Sequence, residues 1–335
     1  MDFVKRYLIP RLISYFFVIF MGITIVFFVP RLSLVDPVQQ MINTVTAMGT
    51  YMDPATVEKL TDTLKELYGL KGTLWEQYLA FWGRLFKGDF GPSLFRFPVP
   101  VMKLIMDSLP WTVGLLTVST ILSWLIGNIL GGIVGYYYEK RWARVLEDIA
   151  MAIRPIPYYI FAFVLLLMFG YFLRIFPIAG GFSIGSTPSF SLKFISDLIK
   201  YAFLPLLSMM ILGIASTLQT MRLMVQNILR EDFILYAKAG GVRNRTLLFK
   251  YVMRSAMLPQ VTGLALSMGQ IFGGALITEM VFSYPGMGTL LYNAITTGDY
   301  NLIMGITAIS IIGIATFILI IDLLYPLLDP RVRYT

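Results

Sequence analysis

Side chains able to do chemistry are scarce in this chain, and the scarcity excludes much. Its 335 residues contain no cysteine and no histidine. Disulfides are therefore impossible, and metal ligation by thiolate or imidazole is excluded for this chain. No G-x-x-x-x-G-K-[ST] phosphate loop occurs, so the chain cannot bind and split ATP by that route. Three charged residues lie in or at the ends of long apolar stretches: Arg154, Glu279 and Asp322. A charge at bilayer depth is costly and usually faces protein or water. Arg154, just before Pro155-Ile156-Pro157, reads as a snorkelling residue or a partner of Glu147 or Asp148. Glu279 either lines a path through the membrane or braces the loop that follows it, and Asp322 reads as structural. So thin a set of intramembrane acids argues against a proton- or sodium-driven secondary transporter, which needs ion-coordinating groups near the midplane.

A polar island lies between two apolar stretches, from Glu231 to Pro259. Ile228, Phe233, Ile234 and Ala237 have the spacing of a short amphipathic helix over residues 226–239. Gly240-Gly241 can turn without a Cβ penalty. Beyond the turn, Leu247, Leu248, Tyr251 and Val252 form one face, and Arg243, Arg245, Lys250 and Arg254 another. The pattern predicts a helix–turn–helix outside the membrane. Taken alone, it fits either a basic loop whose apolar face lies on the bilayer or a rigid protrusion held in a groove of a cytoplasmic partner.

The elements that must hold this island are membrane spans. The chain is 57% hydrophobic and 14% charged, with a mean hydropathy of +0.74, outside the soluble range. Six stretches lack charge: Leu12–Pro30, Leu109–Tyr138, Pro155–Leu173, Tyr201–Met221, Ser255–Thr278 and Leu302–Ile321. Each reaches the roughly 20 residues a helix needs to cross the hydrocarbon, and helices satisfy their own backbone there. The expectation is an all-α polytopic membrane protein with six transmembrane helices. The first stretch follows Lys5, Arg6 and Arg11 but has no small-residue cleavage pattern, so it reads as a retained span.

With both termini cytoplasmic, the inner pieces are residues 1–11, the loop Glu139–Asp148, the island Arg222–Arg254 and the tail after Asp329. They hold 15 basic and seven acidic residues, which accounts for the whole net charge of +8. The positive-inside rule thus supports this orientation in the cytoplasmic (inner) membrane. The charge is a topology signal with attraction to anionic lipid as its side effect, and no nucleic-acid partner is needed to explain it.

The chain divides into residues 1–30 (N-terminal segment and first span), an extracytoplasmic segment over 31–110, and a five-span core over 111–335. In the outer segment, Asp53 and Pro54 predict a helix start, Val57, Leu60, Leu64 and Leu67 its apolar stripe, and Gly69 its end. Leu74–Phe86, with Trp75, Tyr78, Phe81 and Trp82, is a second amphipathic stretch suited to the membrane interface, to packing within the outer segment, or to a partner. Gly88-Asp89-Phe90-Gly91-Pro92-Ser93 is turn chemistry. Phe176–Lys200 reads as an irregular outer loop, and Leu290, Leu291 and Tyr292 suggest a short helix in the last one.

The segment from Ala237-Lys238-Ala239-Gly240-Gly241 to Arg254-Ser255-Ala256-Met257-Leu258-Pro259 resembles the coupling loop of permease subunits of binding-protein-dependent ABC importers, in the oligopeptide/dipeptide/nickel class. The likeness continues through Gly273-Gly274-Ala275, Glu279, Tyr284-Pro285-Gly286-Met287-Gly288, Asp299-Tyr300, Asp322–Tyr325 and Leu328–Arg331. Near the N-terminus, Asp36-Pro37-Val38, Gly69-Leu70, Gln77-Tyr78, Gly88–Ser93 and Pro98-Val99 resemble the first-permease type with its enlarged outer segment. Leu235 stands where the general loop has an acid, and Pro259 falls 18 residues after Gly241. Both departures agree with the peptide-type subclass.

The resemblance implies the type I permease fold and a translocation subunit that is not an enzyme. It further implies a second permease subunit, two ATP-binding subunits carrying ATP and magnesium, an extracytoplasmic solute-binding protein, and no cofactor in this chain. The coupling residues it implies are Ala237, Gly240, Gly241, Val242, Arg243 and Asn244 within the loop 226–259, with Gly240 and Gly241 setting the turn. Glu279 remains the candidate for the translocation path. Oligopeptide and oligosaccharide stand level as cargo. The rival reading is an energy-independent channel or a membrane scaffold.

Overall fold

A computed structural model of the chain describes residues 7–32, 38–39, 42, 53–187 and 189–328. Lys5, Arg6, Asp36-Pro37 and the tail from Asp329 lie outside the described residues. Among the described residues no strand occurs; an isolated bridge joins Pro92 to Pro100. The helices are α1 (Ile9–Arg31), α2 (Pro54–Leu67), α3 (Leu74–Phe86), α4 (Val101–Tyr136), α5 (Arg141–Ile153), α6 (Tyr158–Leu165), α7 (Leu192–Ile228), α8 (Asp232–Ala239), α9 (Met253–Gly269), α10 (Leu276–Val281), α11 (Met287–Thr296) and α12 (Tyr300–Leu328). Four of them, α1, α4, α7 and α12, are long and apolar enough to cross a membrane. A fifth crossing exists if α5 and the helix Tyr158–Phe172, bent by 98° across the Arg154–Pro157 break, make one span. The chain is an all-α polytopic membrane protein.

Three expected boundaries move. The segment Glu139–Asp148, expected as a loop, is helical from Arg141, because Ala143 and Ala150 fall seven apart on one buried face, with Arg141, Arg144 and Asp148 exposed and Glu147 turned inward. The outer loop Phe176–Lys200 becomes helical at Leu192, where the Ser191 hydroxyl caps the start by accepting from the Phe194 N–H at 3.2 Å. The fifth apolar stretch is not one helix: α9 ends at Gly269, a 3-10 turn covers Gln270–Gly273, and Gly274 takes a φ of +77° before α10. The count of six spans thus rests on the sequence pattern.

Two compact units share the chain. The first holds the described residues through Thr112 with Phe272–Leu276 and Pro285–Leu319, and the second holds Val113–Ile271, Ile277–Tyr284 and the described residues from Ile320. In the first, Ile23 and Phe27 of α1 are fully buried against α3, whose Tyr78 and Phe81 rings sit 5.2 and 5.5 Å from that of Phe27. Tyr78 and Phe81 of this stretch thus pack on the first span, whereas Trp75, Leu79 and Phe86 are exposed. The start of α3 is fixed by a capping box in which Thr73 and Glu76 satisfy each other's backbone N–H groups. Helix α2 runs as predicted with Leu64 buried and Gly69 at φ +63°, but Asp53 makes no side-chain capping bond and Leu67 is exposed. The short helix expected around Leu290 is α11.

In the second unit, α4 and α7 lie in backbone contact. A Cβ on Gly131 would stand 2.5 Å from the Leu218 carbonyl oxygen, and one on Gly135 would stand 2.9 Å from that of Arg222. Small residues at four-residue spacing are what permits such an approach.

Candidate functional site

The island folds as the helix–turn–helix its pattern predicts. Helix α8 begins after Glu231, in extended conformation, with Asp232 in the first turn and Lys238 in the last, both favourable to the helix dipole. Its end is a Schellman motif: the Val242 N–H donates to the Ala237 carbonyl at 3.1 Å and the Gly241 N–H to the Lys238 carbonyl at 3.0 Å. Gly241 takes the φ of +75° that this motif requires, whereas Gly240 has an ordinary φ of −73°. The turn therefore depends on one glycine of the pair.

The second limb is not a separate helix. Asn244–Thr246 runs through a π-helical stretch, Leu247–Val252, straight into α9. The turn and the apolar helix are thus joined by one continuous helical rod. Ile234, Leu247 and Val252 are fully buried and pack with Met221 and Val225 of α7. Phe233, expected on the inner face with Ile234, is exposed, as are Leu235 and Tyr236, the last by 77%. This exposed apolar trio was not singled out from sequence. The signal was present, because an i, i+2, i+3 set on so short a helix cannot share the inner face with Ile234.

The six coupling residues are brought together but do not all face outward. Gly240, Gly241, Arg243 and Asn244 are exposed, while Ala237 and Val242 are half-buried and pack on the inner cluster. Asn244 accepts a 3.0 Å hydrogen bond from the Tyr136 hydroxyl, tying the turn to the end of α4. Beside this bond, Lys140, Arg230, Lys238 and Glu139 line an open cavity of about 380 Å³.

Arg154 takes a partner other than the two expected. Arg154 donates to the Gln219 side chain at 2.8 Å, and Glu147 pairs instead with Arg222, also at 2.8 Å. Glu279 is fully buried on α10, where its backbone carbonyl accepts the Tyr284 N–H at 2.7 Å. Burial, and then the nearby Glu279 charge, push the Tyr284 hydroxyl up to about 12. The backbone bond closes the turn that follows α10. Asp322 is half-buried.

A polar cleft that the sequence reading did not identify lies between α4, α7 and α9. Its volume is about 460 Å³, and its lining includes Ser119, Thr120, Ser123, Ser216, Thr217, Thr220, Gln260 and Ser267. Trp124 closes one side by donating its indole N–H to the Gln260 carbonyl at 2.8 Å. The lining carries hydroxyl and amide groups and no charged side chain. Such a surface can exchange hydrogen bonds with neutral polar groups. The sequence signal was the recurrence of Ser and Thr at helical spacing within charge-free stretches.

Comparison with known proteins agrees with this architecture. The sequence profile described as "binding-protein-dependent transport system inner membrane component" matches residues 127–334. The oligopeptide transport system permease protein AppB of Bacillus subtilis is 31% identical over 291 residues, 86% of this chain and 89% of that protein. The oligopeptide permease protein OppB of Haemophilus influenzae is 29% identical over 331 residues, 98% of this chain and 99% of its own length. The dipeptide permease protein DppB of Lactococcus lactis is 27% identical over 332 residues, with the same coverage. Neither a channel nor a scaffold is found among these relatives. With several apolar helices, an exposed helix–turn–helix and this match, the chain belongs to the multi-pass inner membrane permease components of binding-protein-dependent ABC importers.

Proposed function

We propose that this permease subunit serves a peptide importer. It pairs with a second permease, receives peptide from an extracytoplasmic solute-binding protein, and is driven by two separate ATP-binding subunits that hold ATP and magnesium. The observation that carries the coupling assignment is the continuity of the exposed turn with α9 through Leu247–Val252. A groove on an ATP-binding subunit gripping Phe233, Leu235, Tyr236 and Arg243 would move α9 as a rigid lever. Peptide is favoured over oligosaccharide because AppB, OppB and DppB carry peptide names. The charge-free cleft suits a peptide backbone, whose N–H and C=O groups match hydroxyl and amide partners. Glu279, buried away from that cleft, braces the outer loop in this reading.

The test is Gly241→Pro, because proline holds φ near −65° and cannot occupy the +75° position. Membrane insertion is expected to be normal, with ATP-dependent uptake of a labelled tetrapeptide lost and co-purification of the ATP-binding subunits reduced. Unchanged uptake at normal expression would sink the coupling assignment. Maltotetraose that competes with the tetrapeptide for uptake would overturn the choice of cargo alone.

A further inference from the structure

Several sequence motifs take no part in coupling: Gly69-Leu70, Gln77-Tyr78, Gly88–Ser93 and Asp299-Tyr300. In the first unit Gly69, Gln77 and Phe90 of these motifs line one small cavity. Its lining includes Arg31, Tyr68, Gln77, Arg84, Asn301 and Met304, and its volume is about 20 Å³. That is room for a single water-sized or halide-sized particle.

The lining has more donors than acceptors. Arg31 donates Nε to the Gln77 side-chain oxygen at 3.2 Å, and Nη1 to the Phe27 carbonyl at 3.0 Å and the Met304 sulfur at 3.2 Å. The Arg84 guanidinium lies where a Cβ on Gly69 would stand 2.9 Å from Nη1 and one on Gly91 would collide with Nη2. Both glycines have positive φ, so the backbone wraps the guanidinium closely. Among the described residues, neither arginine has a carboxylate within ion-pair distance, and the Arg84 side chain makes no hydrogen bond. The Tyr68 hydroxyl is buried without a partner among the described residues. Burial, and then the charge of Asp299, push that phenol well above its usual range, so it stays an O–H donor.

Asp299 does not neutralise the pair by contact. Its carboxylate accepts from the Ser93 hydroxyl at 2.5 Å, the Phe95 N–H at 3.1 Å and the Leu302 N–H at 3.0 Å. Among the described residues no carboxylate pairs with either guanidinium, and the nearby Asp89 and Asp299 carboxylates are each committed to backbone N–H groups. Partly buried charge without a counter-charge is costly. A water would satisfy the phenol and leave the charge, whereas a monovalent anion answers both.

We propose that the cavity bounded by Arg31, Tyr68 and Arg84 is a binding site for a halide ion, chloride under ordinary conditions, that ties α1, α2, α3 and the start of α12 together. A ligand bound only by the folded state raises stability with its concentration. The test uses the full-length protein, purified with its associated subunits in lipid nanodiscs. At constant ionic strength, replacing sodium gluconate by sodium chloride or bromide is expected to raise the unfolding temperature by several degrees. Arg84→Gln is expected to abolish that dependence while unfolding in gluconate as a single transition. Tyr68→Phe, which removes only the hydroxyl, is expected to raise the chloride concentration needed at least several-fold. Crystals grown in bromide should show an anomalous peak in the cavity. Equal unfolding temperatures in gluconate and chloride, or a cavity without bromide, would leave only a bound water and overturn the assignment.

Discussion

Ile234 is the residue through which the exposed helix α8 is attached. It is fully buried among Leu247, Val252, Met221 and Val225, while its neighbours Phe233 and Leu235 stand exposed. Removing its side chain beyond Cβ should cost about 2–4 kcal/mol, the range for a large-to-small change in a packed site. That loss falls on a short element with few other anchors, so it appears as local opening more than as global unfolding. Ile234→Ala is expected to accelerate amide hydrogen exchange across 232–246 while exchange in α4 and α7 stays slow. In the assembled importer, ATP hydrolysis should persist while peptide uptake per ATP falls. Exchange unchanged in the turn, or lost uniformly through the protein, would contradict the role given to this side chain. Leu235→Ala offers the converse comparison. Its side chain is 53% exposed, so the helix should keep its protection and only the partner contact should weaken.

The same contrast between what touches and what does not governs the contact of α4 with α7. Gly131 faces the Leu218 backbone so closely that a methyl group must displace it, whereas a Cβ on Gly114 of the same helix would meet nothing within 4 Å. Gly131→Ala is therefore expected to lower the unfolding temperature in detergent by several degrees, an overpacking cost of about 1–3 kcal/mol. Gly114→Ala should leave it unchanged or raise it slightly, because alanine is the better helix former. Equal effects at both positions would refute the close approach. Elements of this kind divide into those readable from sequence and those that were not. The limits of α3 were legible from its amphipathic aromatic spacing, and the end of α2 at Gly69 and the Gly240-Gly241 turn from residues able to take positive φ. Helix α5 was missed because its charges were counted and its Ala143–Ala150 periodicity was not. The break after Gly269 was hidden because apolar composition alone does not distinguish one helix from two. The Arg222–Glu147 pair and the hydroxyl cleft join residues distant in sequence, and no local rule reports such juxtapositions. Within the coupling turn, residue identity was legible, but which side chains turn inward followed only from packing on α7.

For the whole molecule, the orientation of the chain decides whether the coupling reading is possible at all. ATP is on the cytoplasmic side, so the turn at Gly241 must be there too. We infer the orientation from the distribution of charge: the pieces it places inside carry 15 basic against seven acidic residues, and the remainder is neutral. The absence of cysteine from the natural chain makes this directly measurable, since any introduced thiol is the only one to react. Lys238→Cys, exposed at the end of α8, and Thr187→Cys, exposed before α7, probe the two sides of the apolar helix Leu192–Ile228. In intact cells a membrane-impermeant maleimide is expected to label Thr187→Cys and to spare Lys238→Cys. After the membrane is opened, both should react. Binding of the ATP-binding subunits should then slow labelling at position 238, because Lys238 adjoins the turn they are proposed to grip. Labelling of Lys238→Cys from outside intact cells would reverse the orientation and remove the island from the reach of ATP. Labelling from inside, unaffected by the ATP-binding subunits, would keep the orientation and sink the docking surface. The two failures are thus separable, and the charge argument is tested apart from the argument about the turn.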